Sequence, residues 1–335
     1  MRCLVTSARP YDQQFLNAAN GGRHELVFVE TVLNADTAFI AQGYPALCPF
    51  VDDTLDANAL ETIARLGTRL LVLRSTGFNH VDIPAAEAHG ITVMRVRDYS
   101  PYAVAEYAVG LMLTLNRHLH KAYSRVRDGN LLLDGLLGFD MHGKTVGIVG
   151  TGRIGTALAR ILHGMGCRLL AYDTTTPNPD CQELGVVYAS LEELLAKSRI
   201  VSLHVPLFPE TRHLMNTERF AQMPEGAMLI NTSRGPLIDT SALIAALKSR
   251  HLGAVGLDVY EEEADLYFKD HCDDIICDDS FERLLTFPNV VITGHQAFFT
   301  REAMQTIADT TIQNLDDFNA GKDSPNRIAA HRAAH

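Results

Sequence analysis

Thr145-Val-Gly-Ile-Val-Gly-Thr-Gly-Arg-Ile-Gly155 carries a short apolar strand pattern straight into Gly150, Gly152 and Gly155, and a helical pattern follows over residues 156–166. The spacing is G-x-G-x-x-G, and each glycine has its own work. Gly150 makes a tight turn, Gly152 lets the backbone approach a pyrophosphate, and Gly155 lets helix pack on strand. The helix start then presents unpaired N–H groups and a partial positive charge to phosphate. The next apolar run, Arg168-Leu-Leu-Ala-Tyr, ends at Asp173, near the offset of about 20 residues at which an acid meets a ribose. A carboxylate there accepts from ribose hydroxyls and repels a 2′-phosphate, and Thr174, Thr175 and Thr176 bring no cation for one. The stretch therefore predicts NAD rather than NADP, with Gly150, Gly152, Arg153, Ile154, Gly155 and Asp173 as cofactor-binding positions.

Working outward, strand-like runs at residues 3–6, 26–29, 46–50, 70–73 and 92–96 alternate with helical stretches, the pattern of a parallel sheet covered by helices. The loop Arg74-Ser-Thr-Gly-Phe-Asn-His-Val-Asp82 leaves the carboxyl end of one such run, where open α/β sheets bind ligands. Gly77 and its neighbouring amides could hold a carboxylate there; a plain glycine turn is the alternative. Ser100-Pro101 is a helix start, and residues 103–115 are apolar almost all round, which predicts burial against a domain junction or a second subunit. A homodimer or homotetramer through that helix is the expectation.

Beyond Asp173 the alternation resumes, with strands at 200–203, 227–231, 254–258 and 290–293 and helices at 191–197, 218–223 and 240–250, the last capped by Asp239. A final helix at 301–319 has no strand after it, and the tail past Gly321 reads as frayed.

Composition sets bounds. At 335 residues the chain suits two domains, and its 47% apolar content is enough for two cores. A formal charge of −11 argues against nucleic acid or an anionic membrane as the main partner. No apolar run approaches the length of a membrane span, and no secretory leader is evident, so a cytoplasmic location follows. The six cysteines then read as reduced thiols, and Cys272 and Cys277 lack zinc-knuckle spacing, so no metal is expected.

Three chemically complementary groups follow strand runs in the second half: Arg234 after 227–231, the acids 261–263 after 254–258, and His295 after 290–293. Singly, each has a bland reading as a turn arginine, a solvated acidic run or a surface histidine. Together they match the reduction of a keto acid: a guanidinium to clamp a carboxylate, an imidazole to deliver a proton, and a carboxylate to keep that imidazole charged and oriented.

The motifs Gly150-Thr-Gly-Arg-Ile-Gly155, His204-Val-Pro-Leu, Asn231-Thr-Ser-Arg-Gly, Gly256-Leu-Asp-Val-Tyr and Gly294-His-Gln-Ala-Phe298 resemble the D-isomer-specific 2-hydroxyacid dehydrogenases over nearly the whole chain. Within that family, Arg-Asp-Gly-Asn ahead of the fingerprint and the long acidic segment 261–287 are most similar to the bacterial NAD-dependent D-lactate branch. The resemblance implies two doubly wound parallel-sheet domains, a Rossmann NAD-binding domain (101–298) inserted into a flavodoxin-like substrate domain (1–100 plus 299–335). It implies that Arg234 binds the substrate carboxylate, His295 donates the proton, and Glu263 partners it, the acid standing five positions after Asp258. By the same resemblance Asp258 meets the nicotinamide end, and His204, Val205, Pro206, Thr232 and Ser233 line the cofactor. Thr76 and Gly77 offer amides to the carboxylate, and Tyr99 and Phe298 flank a small substrate side chain. The sequence departs from the family pattern at Arg97-Asp98, where a Pro commonly precedes the Tyr. Pyruvate and D-lactate are the implied substrate pair. Phosphoglycerate, glycerate and branched 2-hydroxyacid dehydrogenases, or an NAD-sensing corepressor scaffold, are the alternatives, and the lack of long Pro- and Ser-rich extensions favours an enzyme.

Overall fold

A computed structural model describes residues 1–174, 177–263 and 266–328. Thr175 and Thr176 of the NAD argument, and tail residues 329–335, lie outside the described residues. The chain forms two compact units, Met1–Ser100 with Phe299–His335, and Pro101–Phe298.

The first unit holds β1 (Arg2–Val5), β2 (Glu25–Phe28), β3 (Ala46–Cys48), β4 (Leu70–Val72) and β5 (Thr92–Met94), parallel throughout in the order 2-1-3-4-5. That is the flavodoxin-like winding. Alternate residues feed opposite faces: Leu4, Leu47, Leu71 and Val93 join one core, while Cys3, Val5, Ala46, Cys48, Leu70, Val72 and Met94 join another. Both faces are covered, so the strands read as continuous apolar runs rather than alternating ones. The helix Arg301–Asn319 docks here through Ala308, Ile312 and Leu315, beside Leu16 of the helix Pro10–Asn20.

The second unit holds β6 (Thr145–Val149), β7 (Arg168–Tyr172), β8 (Val187–Tyr188), β9 (Ile200–Leu203), β10 (Ala227–Asn231), β11 (Leu252–Leu257) and β12 (Val290–Ile292). All pair in parallel, in the order 12-11-10-9-6-7-8. Winding runs outward from β6 through β7 to β8, then restarts on the other side of β6 with β9. The strand order therefore reverses at β6, directly under the glycine fingerprint, at the point where doubly wound sheets take nucleotides.

Two expectations need correcting. The chain past Gly321 is not wholly frayed: β13 (Arg327–Ile328) pairs antiparallel with β5 and closes that edge of the first sheet. The helix Pro101–Asn116 is buried by its own unit over most of its surface, while Tyr102, Glu106 and Gly110 stay exposed along one side. It packs on the helix Arg153–Gly164 and on β11, where Leu111 and Leu115 press against Gly256. Further exposed apolar side chains lie downstream: Leu119, Tyr123 and Val126 at helical spacing on Leu119–Arg127, then Leu131, Leu132, Leu133 and Leu137. No described helix is long and apolar enough to cross a membrane.

Candidate active site

The fingerprint is built as its glycines require. Gly150 has φ 96°, and a Cβ there would stand 2.5 Å from the His204 carbonyl oxygen. A Cβ on Gly155 would stand 2.0 Å from the Gly150 carbonyl oxygen, so any side chain would force helix and strand apart. Gly152, the N-cap of Arg153–Gly164, differs: a Cβ there would meet nothing within 4 Å, so its backbone faces open space. Arg153 and Ile154 open the helix just beyond it. Asp173, at the end of β7, is turned back onto the fingerprint, its Oδ2 accepting from the Thr151 N–H at 2.7 Å and from the Thr151 hydroxyl at 2.8 Å.

Across the switch point, the His204 N–H donates to the Val149 carbonyl, and the ring Nε2 pairs with the Ser202 hydroxyl at 2.8 Å. Burial holds that imidazole neutral, its pKa pushed down to about 4. Val205 and Pro206 follow, the Val205 side chain lying against Gly150. At the end of β10, the Ser233 hydroxyl donates to the Leu203 carbonyl at 2.7 Å. His204 Nδ1 and Thr232 Oγ1 are buried polar atoms without a partner among the described residues. Open space before Gly152, a fixed carboxylate and these uncommitted atoms fit a dinucleotide.

Arg234, the acids 261–263 and His295 follow three successive strand ends of the same sheet, β10, β11 and β12. The Asn231 side chain folds the first turn, accepting from the Ser233 N–H at 3.0 Å and donating to the Arg234 carbonyl at 2.8 Å. Arg234 Nη1 donates to the Ser233 carbonyl at 2.6 Å, which aims the guanidinium without another side chain. Gly235 next to it lies on the Tyr260 backbone so closely that a Cβ would stand 1.8 Å from the Tyr260 oxygen. That contact joins the arginine turn to the acidic segment. The Tyr260 N–H donates to Glu263 Oε2 at 3.0 Å, and Glu263 Oε1 lies 3.0 Å from His295 Nδ1. His295 Nε2 makes no hydrogen bond among the described residues.

The acidic run sorts itself by geometry. Glu261 turns to His213 at 2.5 Å and to the Thr240 N–H at 3.1 Å. Burial pushes its pKa up, but the His213 bond and the Thr240 amide more than offset this and hold it below the usual range. Glu262 is exposed, and Glu263 alone reaches the imidazole.

Asp258 has work that the sequence did not disclose. Its carboxylate is buried, and it accepts from the Thr293 hydroxyl at 2.6 Å, the Gln296 N–H at 3.0 Å and the Ala297 N–H at 2.8 Å. Burial raises its pKa despite those donors. The His295 N–H donates to the Asp258 carbonyl at 2.7 Å, so one residue holds the loop on both sides of the imidazole. Gln296 is fixed in turn by the Tyr107 hydroxyl at 2.7 Å, and the Phe268 ring centroid is 5.9 Å from that of His295. Of these helpers, only Asn231 at a strand end before Ser-Arg-Gly carried a signal, because asparagine habitually folds such turns.

Thr76 and Gly77 lie half-buried on the loop after β4 in the first unit, which also carries Tyr99; Phe298 closes the second unit. Among the described residues, no group of three or more His, Cys, Asp or Glu side chains forms a metal site, and all six cysteines are free.

A dinucleotide fingerprint at a switch point, with an arginine and a carboxylate-backed imidazole on the same rim, defines a nicotinamide-dependent dehydrogenase. The chain belongs to the D-isomer specific 2-hydroxyacid dehydrogenase family, whose NAD binding domain matches residues 109–297. It is 48% identical to a D-lactate dehydrogenase of Escherichia coli (strain K12), over 98% of this chain and 100% of that one. An apo-structure of D-lactate dehydrogenase from Escherichia coli superposes with a TM-score of 0.90 at 46% identity, over 98% of this chain and 100% of that one. A structure described as the pyruvate reductase of Chlamydomonas reinhardtii gives a TM-score of 0.93 at 47% identity, over 97% and 98% of the two chains.

Proposed function

We propose that this enzyme is a D-lactate dehydrogenase, interconverting pyruvate and D-lactate with NADH and NAD. The observation that carries the reading is the Glu263–His295 contact at 3.0 Å, made through Nδ1 so that Nε2 is left to serve the substrate oxygen. When bound, NADH supplies the hydrogen and electron pair that reach C2 of the keto acid. Arg234 clamps the carboxylate with its fork and polarises the keto oxygen. His295 gives its Nε2 proton to that oxygen as it becomes a hydroxyl, and Glu263 stabilises the charged ring beforehand. In lactate oxidation the same nitrogen takes the proton back.

For the cofactor, Gly150, Gly152, Arg153, Ile154 and Gly155 would meet the pyrophosphate and Asp173 the ribose. His204, Val205, Pro206, Thr232 and Ser233 would line its course, with Asp258 toward the nicotinamide end. Thr76 and Gly77 would add amides to the carboxylate, and Tyr99 and Phe298 would bound a small side chain. Six thiols without a disulfide suit a cytoplasmic setting. Self-association as a dimer or tetramer belongs to this reading, carried by the exposed stripe Leu119, Tyr123 and Val126 and the leucines that follow it.

Following NADH absorbance with pyruvate, hydroxypyruvate and 2-ketoisocaproate, and typing the lactate enantiomer, tests the proposal. Pyruvate should give the highest kcat/KM and D-lactate should accumulate. L-lactate, or a clear preference for a bulkier keto acid, would overturn it.

A further inference from the structure

The loop after β4 is unusual in how its backbone is committed. None of the N–H groups of residues 75–79 donates a hydrogen bond among the described residues, whereas two of the loop's carbonyls are gripped by side chains. Arg95 Nη1 donates to the Thr76 carbonyl at 2.8 Å, and the Ser75 hydroxyl donates to the Gly77 carbonyl at 2.7 Å.

A peptide unit is planar, and in the trans form its C=O and N–H point in opposite directions. The chain has no cis peptide among its described residues. Gripping the Thr76 carbonyl therefore fixes the Gly77 N–H pointing the opposite way within that plane, and gripping the Gly77 carbonyl does the same for the Phe78 N–H. A carbonyl that accepts from a guanidinium also becomes more polarised, which makes the N–H of its own peptide a stronger donor.

Arg95 is itself braced. Its guanidinium stacks 5.0 Å from the Phe78 ring centroid, its N–H donates to the Asn326 carbonyl, and its carbonyl accepts from the buried Asn314 side chain at 3.2 Å. The Asn326 side chain donates in turn to Asn314 at 2.8 Å. The segment leading into β13 thus reaches the loop through Arg95.

We propose that Arg95 and Ser75 are positioning residues that hold the Gly77 and Phe78 amides as donors for the substrate carboxylate. The proposal rests on the keto-acid reading above and adds to it the device that orients the loop. Both side chains act on the loop's carbonyls.

The test uses the full chain and two substrates that differ only at the group recognised: pyruvate, and methylglyoxal, which has an aldehyde where pyruvate has its carboxylate. Arg95→Met keeps the stem but loses the donor, Arg95→Lys keeps charge without fork or stack, and Ser75→Ala removes the second grip. The pyruvate KM should rise about 10-fold in Arg95→Met and about 3-fold in Ser75→Ala, the scale of a weakened hydrogen bond. The NADH KM should not move, kcat should change less than KM, and Arg95→Lys should recover part of the loss. The preference for pyruvate over methylglyoxal should fall by the same factors, a change that loosened packing alone would not produce. Variants that keep the wild-type preference, or that lose both substrates equally, would overturn the role of Arg95 and Ser75. A wild type with no preference between the two substrates would remove the keto-acid reading itself, and this inference with it.

Discussion

The two sheets share an architecture and differ in what their strand ends do with charge. In the first unit two charged groups at the strand ends, Arg74 and Asp53, are buried and held by several partners. Arg74 is paired with Asp12 at 2.7 Å, both side chains at most 7% exposed. Asp53 accepts from the Thr6 and Ser7 hydroxyls and from the Leu33 and Phe50 amides, each within 2.7 Å. In the second unit, among the described residues, the Arg234 guanidinium leans only on its neighbour's carbonyl, and the His295 ring is held by one nitrogen. On the proposed mechanism, the contrast separates charge that holds a fold from charge offered to a reactant. The committed groups are buried, whereas Arg234 and His295 are partly exposed and have fewer partners.

Substitutions can break that contrast. The largest effect should follow His295→Gln, with the pyruvate reduction rate falling about 10²- to 10⁴-fold while NADH binding persists. Steady-state rates together with NADH fluorescence titration check both halves, and near-normal turnover would remove His295 from the mechanism. Arg234→Lys should come next, with a large loss in kcat/KM for pyruvate, because a point charge cannot replace the fork. Unchanged kinetics would eliminate the clamp.

In the first unit the same kind of change should act on stability. Arg74→Met leaves the Asp12 carboxylate buried and unpaired and should cost about 3 to 5 kcal/mol in urea unfolding, whereas Arg74→Met with Asp12→Leu should cost far less. Equal losses in the single and double variants would show that the pair is not what holds that rim. The smallest effect concerns His204, whose pKa is held near 4. Unfolding frees the ring to take a proton at its ordinary value near 6.5, so stability from this group is intact above that pH. It drains away as pH falls toward 4, by about 2 to 3 kcal/mol. His204→Gln should flatten that part of the unfolding profile relative to wild type, and parallel profiles would reject the assignment.

Much of this site was legible because it depends on short, local rules. Gly150 and Gly155 answer steric needs that no other residue meets, Gly152 leaves open space in front of the helix, and Asp173 follows them at a set distance. Arg234, the acidic run and His295 could be placed on one rim because parallel strands deliver their carboxyl ends to the same edge. What escaped was non-local. Arg327–Ile328 is too short to show a period and becomes a strand only because the β5 edge receives it. The helix Pro101–Asn116 declared that it was buried but not by what. Arg95 reads as an ordinary strand-end cation until its contact with Thr76, 19 residues away, is seen. The roles of Asp258 and Tyr107 likewise depend on partners whose identity lies in the packing.

His295 adopts φ 52°, in the left-handed region that most side chains avoid at a cost of about 1 to 2 kcal/mol. Glycine would relieve that tension and deliver no proton. A screen of this enzyme for heat tolerance alone should therefore reward glycine at this position, enriching robust molecules that no longer turn over. On the proposed mechanism, durability and catalysis pull in opposite directions at His295, whose ring is presented from a left-handed backbone.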